Sequence, residues 1–341
     1  MTPAPTIPAT SIPATIILSV VIPTLDKRAL LERTLAALRR QEVPDGGVWE
    51  IVVVDDGCSD GTGPWLRQEQ ERQAAAGGDP SLRVVTPGGN VGRARARNLG
   101  AGAARGEWIV FLDDDIVAPP GLLAAHLDLL KRHPGHGTIG AAVTAPDLVD
   151  APHLHYLDTR GVARLGAGPA PARYFVTQNA AVPRAAFLSV GGFDEAFRSY
   201  GFEDMEVAFR LEERAGVNFH CVPAPVPVHV HHHTLGQMLA KRRECGRASL
   251  RQLAERHPAR LREMSLHHVI DAPGGPAPGL RSRLLRAFLD LGGAAALPFL
   301  LARWPAGARH RPRAFPLYVR LMNLTVLGCY RQGVRDPRPV S

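Results

Sequence analysis

Cysteine is scarce in this 341-residue chain: Cys58, Cys221, Cys245 and Cys329 lie far apart and form no CxxC pair. That spacing offers neither a zinc ribbon nor a disulfide framework, and it fits a reducing, cytoplasmic compartment. Lysine is scarcer still, at 3 of the 40 basic residues. Aromatic residues make up 6%, and the basic C-terminal part lacks interleaved stacking residues, so a nucleic-acid binder is not expected. No apolar run reaches the roughly 18 uncharged residues of a conventional spanning helix. The opening segment MTPAPTIPATSIPAT (1–15) has no basic stretch and is broken by prolines, so it reads as a disordered leader rather than a signal peptide. The segment PTLDKRA after the first expected strand contains no glycine, unlike the Gly-rich phosphate loop that a nucleotidyltransferase would carry there.

What is present suits a large core. Hydrophobic residues are 45% of the chain and charged residues 21%, which excludes wholesale disorder. The net charge of +8 is unevenly spread. From Lys241 onward there are 19 basic and 6 acidic residues; residues 1–240 hold 21 basic and 26 acidic. An acidic front and a basic tail suggest two jobs on one chain.

Short β-branched or aromatic runs at 16–22, 49–54, 82–86 and 108–112 predict buried strands. Helical stretches at 30–40, 64–76 and 92–104 alternate with them, the pattern of a doubly wound α/β sheet with helices on both faces. Further along, helices are expected to end near Arg132 and to cover 183–188, 203–215 and 235–256, with a strand at 217–222 and a long loop at 145–173. The run DAPGGPAPG (271–279) reads as a boundary. The resulting division is a catalytic domain over 16–260, a linker over 261–279 and a basic, apolar helical extension over 280–341.

In such sheets ligands gather beyond the C-terminal strand ends. Two acidic clusters fall at that edge: Asp55-Asp56-Gly57 and Asp113-Asp114-Asp115. Three adjacent carboxylates repel one another and persist when a cation or several donors neutralise them. All-oxygen ligands suit Mg²⁺ or Mn²⁺, held together with substrate phosphates. A solvated acidic turn is the plainer reading of such a cluster, and for Asp55-Asp56-Gly57 alone an ordinary turn suffices. Glu203-Asp204 opens a helix, where acids favour the N-terminus through capping and the macrodipole, or where one acts as a general base. Of His229, His231, His232 and His233, which cannot all ligate one ion, one is expected at a cation site.

Taken in order, these pieces resemble a family 2 glycosyltransferase of the GT-A fold. The resemblance rests on SVVIPTLDKRALLERTLAALRRQ (19–41), IVVVDDGCSDGT (51–62), NVGRARARNLGAGAARGEWIVFLDDD (90–115), QNAAVPRAAFLSVGGFDEAF (178–197), GFEDMEVAFRL (201–211) and VHHHT (230–234), and spans about residues 17–255. It implies a nucleotide-sugar donor, most often a UDP-sugar, and a cell-envelope glycan, lipid or polysaccharide as acceptor. Pro23 and Thr24 would lie under the nucleotide, Asp55 or Asp56 would contact the base, and Arg97 would approach the nucleotide-sugar. Asp113 and Asp115 would form the DxD motif, Asp113 touching ribose or sugar and Asp115 the metal, with Asp113 and His231 also in the metal set and Asp114 beside it. Asp204, with Glu203, would be the base of an inverting displacement; Gly191, Gly192, Phe193 and Asp194 would shape the sugar and acceptor pocket. Cys58 stands where the family commonly has Ser. A competing reading is a non-catalytic nucleotide-sugar-binding protein of the same fold.

The tail segment 280–331 mixes Leu, Phe and Ala with Arg. Two readings share this composition: a helical subdomain packed on the core, and an interfacial piece laid on the inner face of the cytoplasmic membrane with Arg toward anionic lipid.

Overall fold

The computed structural model describes residues 16–77, 80–145, 151–305 and 313–336; the expected leader, 1–15, lies outside them. Its strands are β1 (Ile16–Thr24), β2 (Val48–Asp55), β3 (Ser81–Val85), β4 (Trp108–Leu112), β5 (Ile116–Val117), β6 (Gly137–Gly140), β7 (Val143–Thr144), β8 (Gly168–Ala170), β9 (Asn179–Pro183), β10 (Phe219–Val222) and β11 (Val228–His229). The helices are α1 (Arg28–Leu38), α2 (Thr62–Ala76), α3 (Arg93–Ala103), α4 (Leu122–Arg132), α5 (Pro152–Asp158), α6 (Arg184–Ser189), α7 (Glu203–Ala215), α8 (Leu235–Arg247), α9 (Ser249–Arg256), α10 (Leu280–Asp290), α11 (Leu297–Ala302) and α12 (Phe315–Arg335).

The main sheet runs β3-β2-β1-β4-β9-β6-β10-β8. Strands β3, β2, β1 and β4 are parallel, β9 is antiparallel to both its neighbours, and β6 and β10 are parallel to each other. The sheet is therefore mixed. β1, β2 and β4 read as continuous apolar runs because both faces are covered: Val20, Ile22, Ile51, Val53, Val110 and Leu112 meet Leu31, Leu35 and Leu38 of α1 on one side, while Val21, Val52, Ile109 and Phe111 meet the cluster of Phe187, Phe193, Val207 and Phe209 on the other. A second, three-stranded sheet has the order β5-β11-β7. It is invisible to periodicity because its strands are two residues long.

A buried polar knot ties the first strands together. Glu50, fully buried, accepts from Ser19 Oγ at 2.8 Å, from the Arg105 N–H at 2.7 Å and from the Arg105 guanidinium at 2.8 and 3.0 Å. Ser19 Oγ in turn accepts from the Gly106 N–H at 2.8 Å. Gly106 has no alternative there, since a Cβ would lie 2.6 Å from the Ser19 nitrogen.

Three expectations change. The stretch 145–173 contains α5, started by Pro152 at its first position, and β8, which pairs with β10. The helix expected over 235–256 breaks at Ala248 (φ −122°, ψ −72°), separating α8 from α9. Residues 261–270 do not link: Leu261, Leu266 and Val269 are buried in the same core as Phe209 and Leu253, because an apolar triplet at that spacing has more to gain inside than in water. Helices α11 and α12 pack on α8, where Tyr318 and Met322 join Tyr156, Met238 and Leu239, and α10 packs on α12.

Candidate active site

The parallel strands end in one cleft, and the acidic clusters stand on its rim. Thr24, the last residue of β1, donates its hydroxyl to Asp114 Oδ2 at 2.8 Å, and its carbonyl accepts from the Asp56 N–H at 3.0 Å. Pro23 pairs with Val54 beneath it. Asp55 accepts from the Cys58 N–H at 2.9 Å. Asp56 accepts from the Val91 N–H at 2.7 Å and the Gly92 N–H at 3.2 Å, so both its oxygens hold the loop that launches α3. Gly57 adopts φ +86°, and a Cβ there would sit 2.7 Å from the Asn90 nitrogen.

The three aspartates after β4 have different partners. Asp113 accepts from Arg97 Nη2 at 3.0 Å. Asp114 is buried, its side chain held by Thr24 and by Lys27 Nζ at 2.9 Å, its carbonyl by Thr34 Oγ1 at 2.9 Å. Burial pushes its carboxyl up to about 6 despite Lys27. Asp115 accepts from Lys27 Nζ at 2.9 Å through Oδ2, while His229 Nε2 lies 3.1 Å from Oδ1. Burial opposes ionisation here too, but His229 and Lys27 outweigh it and hold the Asp115 carboxyl below its ordinary range. The small sheet makes this contact: His229 pairs with Ile116, and the Val230 N–H donates to the Asp115 carbonyl at 2.9 Å.

The opposite wall is the start of α7. Asp204 accepts from Thr177 Oγ1 at 3.0 Å and from the Thr177 N–H at 3.2 Å. Burial, then the neighbouring Glu203 charge, push its carboxyl up to about 7, against the pull of Arg97. Phe202, immediately before the acid pair, is held at φ +69°, a strained conformation for an aromatic residue. Arg97 bridges the walls: it is 6% exposed, its Nη2 is on Asp113, its Nη1 is 3.7 Å from Glu203 Oε1, and its guanidinium lies 5.9 Å over the Phe193 ring.

Asp113, Asp114, Asp115, Arg97, Glu203 and Asp204 thus form one connected constellation. Gly192 and Asp194 support it from outside. Gly192 (φ +67°) leaves room for Asn98, whose Oδ1 would be 2.4 Å from a Cβ; Asn98 clamps the Phe193 backbone at 2.8 and 2.9 Å. Asp194 caps its own turn through the Ala196 N–H at 2.9 Å and pairs with Arg256 at 2.6 Å. His231 borders a cavity of about 360 Å³ with Asp26, Lys27 and Asp60, next to the carboxylates, but it is His229 that touches Asp115. Sequence reading left His229 among four candidates, with His231 favoured by the resemblance, and missed Lys27 and Thr177. A cation next to DxD partners in space, not in sequence, leaves no local signal.

The donor set fits a hard divalent cation. Asp113 and Asp115 offer carboxylate oxygens; Asp115 Oδ1 is approached only by His229 Nε2 at 3.1 Å, and Glu203 Oε2 is buried with no hydrogen-bond donor.

A family model described as glycosyl transferase family 2 matches residues 19–191. The chain belongs to this family. A second model, the N-terminal domain of galactosyltransferase, matches residues 167–233. A validoxylamine A glucosyltransferase from Streptomyces hygroscopicus subsp. limoneus is 34% identical over 227 residues, covering 57% of this chain and 47% of that protein. An N-acetylglucosaminyl-diphospho-decaprenol L-rhamnosyltransferase from Mycobacterium tuberculosis is 28% identical over 251 residues, covering 64% and 77%. The aligned part of this chain spans about half the length of the validoxylamine A glucosyltransferases it matches. Among solved structures, the mannosyltransferase PcManGT from Pyrobaculum calidifontis, in complex with GDP-Man and Mn²⁺, superposes with TM-score 0.58 at 20% identity over 92% of this chain and 86% of that one. TarS 1–349 from S. aureus in complex with UDP gives 0.52 at 15% identity over 94% and 90%. The fold of this family 2 member is GT-A. Among the described residues no helix is long and apolar enough to cross a membrane.

Proposed function

We propose that this family 2 member transfers a sugar from a nucleoside diphosphate sugar, with UDP the preferred carrier, to a hydroxyl of a cell-envelope glycan, lipid or polysaccharide. One observation carries the reading: Arg97 joins Asp113 on one wall of the cleft to Glu203 and Asp204 on the other. A bystander acidic turn has no reason to share a buried arginine with a second carboxylate pair about 90 residues away. The name of the mycobacterial relative states a decaprenol-linked acceptor, which supports a lipid-linked acceptor here.

Asp204 is the proposed base. Thr177 fixes its orientation with two hydrogen bonds, and its raised proton affinity suits it to take the acceptor hydroxyl proton near neutral pH. A single displacement at C1 then inverts the anomeric configuration, with no carboxylate nucleophile needed. Asp113 and Asp115, with His229 or His231, would hold Mn²⁺ or Mg²⁺; such an ion supplies Lewis-acid stabilisation of the departing diphosphate. Arg97 and Lys27 add positive charge on the same side. Pro23, Thr24 and Asp55 line the nucleotide end, with Asp56 bracing the loop below it.

The C-terminal helices carry an exposed apolar face. Leu284 and Phe288 of α10 and Phe299 and Leu300 of α11 are exposed, flanked by exposed Arg281, Arg283 and Arg303. This supports peripheral contact with anionic lipid. Arg286 takes no part, being turned inward onto Asp271 at 2.8 Å.

The deciding test is transfer by the purified protein. UDP-, GDP- and dTDP-sugars are screened by thermal shift with Mn²⁺, and the stabilising donor is then assayed with acceptor, the product anomer being read by NMR. Wild-type transfer rates in both Asp115→Ala and Asp204→Asn would refute the reading. Donor binding without transfer or donor hydrolysis would favour the non-catalytic binder.

A further inference from the structure

A second cluster of ligating side chains stands at the far edge of the sheet. His133 follows the last turn of α4, His136 sits in the turn leading into β6, and His220 is the second residue of β10, paired with Thr138. The turn is tight, with the His136 N–H donating to the His133 carbonyl at 3.0 Å. It brings the His136 Nδ1 within 3.1 Å of His220 Nε2, and the His133 and His220 rings stack at 3.8 Å with an interplanar angle of 13°. One nitrogen from each of the three lies within 4.8 Å of the others.

We propose that His133, His136 and His220 form a metal site distinct from the carboxylate cleft, taking a borderline transition-metal ion of the Zn²⁺ class with three imidazoles and an open fourth position. At Zn–N distances of about 2.0–2.1 Å, tetrahedral geometry puts ligand nitrogens roughly 3.3 Å apart, a spacing the His136–His220 pair already has at 3.1 Å; His133, stacked on His220, would turn its ring to aim its lone pair at the same point. Imidazole donors select zinc, nickel or copper over the hard ions suited to Asp113 and Asp115. A cavity of about 310 Å³, bordered by Asp128, His133, Gly168, His220 and Pro223, gives access and room for a water or exogenous ligand. Because β6 and β10 run in the direction of β4, residues at their starts lie across the sheet from residues after its end. The site ties α4 to β10, and its role is to brace the β6-β10 half of the sheet.

The test uses the full chain carrying Asp113→Ala and Asp115→Ala, stripped with chelator, so that the cleft cannot contribute. Titration with Zn²⁺ is expected to show one equivalent bound with a rise in Tm, and Co²⁺ to give the visible absorption of a tetrahedral site. Adding His136→Ala and His220→Ala should weaken binding by on the order of 100-fold or more and abolish both signatures. In the background with intact carboxylates, His136→Asn with His220→Asn should leave sugar transfer unchanged while removing one zinc equivalent. Undiminished zinc stoichiometry and affinity after loss of these histidines, or no Co²⁺ spectrum in the parent, would overturn the assignment.

Discussion

The ammonium of Lys27 lies 2.9 Å from Asp115 Oδ2, although 88 residues separate them in the chain. The same nitrogen is 2.9 Å from Asp114, so one cation at the start of α1 neutralises two of the three adjacent carboxylates. The repulsion that makes Asp113-Asp114-Asp115 conspicuous in the sequence is answered in space by Lys27, Arg97 and His229.

Replacing Asp204 by Asn should lower kcat by roughly 10²–10⁴-fold with donor affinity nearly unchanged. Steady-state transfer and donor titration, measured together, separate a lost base from a lost binding group.

The pH–rate profile should have its acid limb near pH 7, because the Asp204 carboxyl is pushed up to about 7 and must be ionised to accept a proton. Glu203 is the second cause of that rise, so Glu203→Gln should move the limb to lower pH. A limb that stays put would mean Glu203 does not act on Asp204.

Stability should fall on acidification through His126. The ring is fully buried and its affinity for a proton is lowered to about 4 by burial. Asn179 donates through Nδ2 to the Ala141 carbonyl at 2.9 Å, so its Oδ1 accepts from His126 Nε2–H at 2.8 Å and Nδ1 accepts from the Thr138 hydroxyl at 2.7 Å. With the unfolded ring titrating near 6.5, the neutral folded form contributes stability above that pH and loses it as pH falls toward 4. The loss is about 3 kcal/mol across the window, measurable by urea unfolding at stepped pH. His126→Gln should flatten that slope.

Glu50→Ala should cost about 3 kcal/mol, since the Ser19 hydroxyl and the Arg105 N–H then lose the carboxylate that satisfies them in the interior. Urea midpoints read the change; a shift under about 0.5 kcal/mol would show that water takes the carboxylate's place.

Leu284→Glu combined with Phe299→Glu should abolish flotation with anionic vesicles while leaving transfer to a water-soluble acceptor analogue intact. Equal flotation of variant and wild type would remove α10 and α11 from any membrane role.

The strands bearing Asp55 and Asp113 were readable because a strand buried on both faces leaves an unbroken apolar run that stops where the acids begin. The choice of Asp204 came from the resemblance, because its place at a helix start suits a capping acid equally well. Thr177 was not legible, since a lone threonine between Val176 and Gln178 belongs to no motif. Nor was the preference for His229 over His231 at Asp115, which is set by two-residue strands too short to show alternation. The expected linker failed for a related reason: Pro and Gly at 273–279 marked a boundary, but Leu261, Leu266 and Val269 carry no helical or strand period, only burial.

Strand β9 runs against β4, with Asn179 opposite Leu112. A reversed strand begins where β4 ends, so the chain segment arriving there brings Thr177 to Asp204 from outside the parallel strands. On the proposed assignment, insertions or deletions upstream of Asn179 would re-aim Asp204 and reshape the acceptor wall while β1, β2 and β4, whose ends carry the proposed donor residues, stay as they are. Such an architecture would let one half of the reaction diversify without disturbing the other.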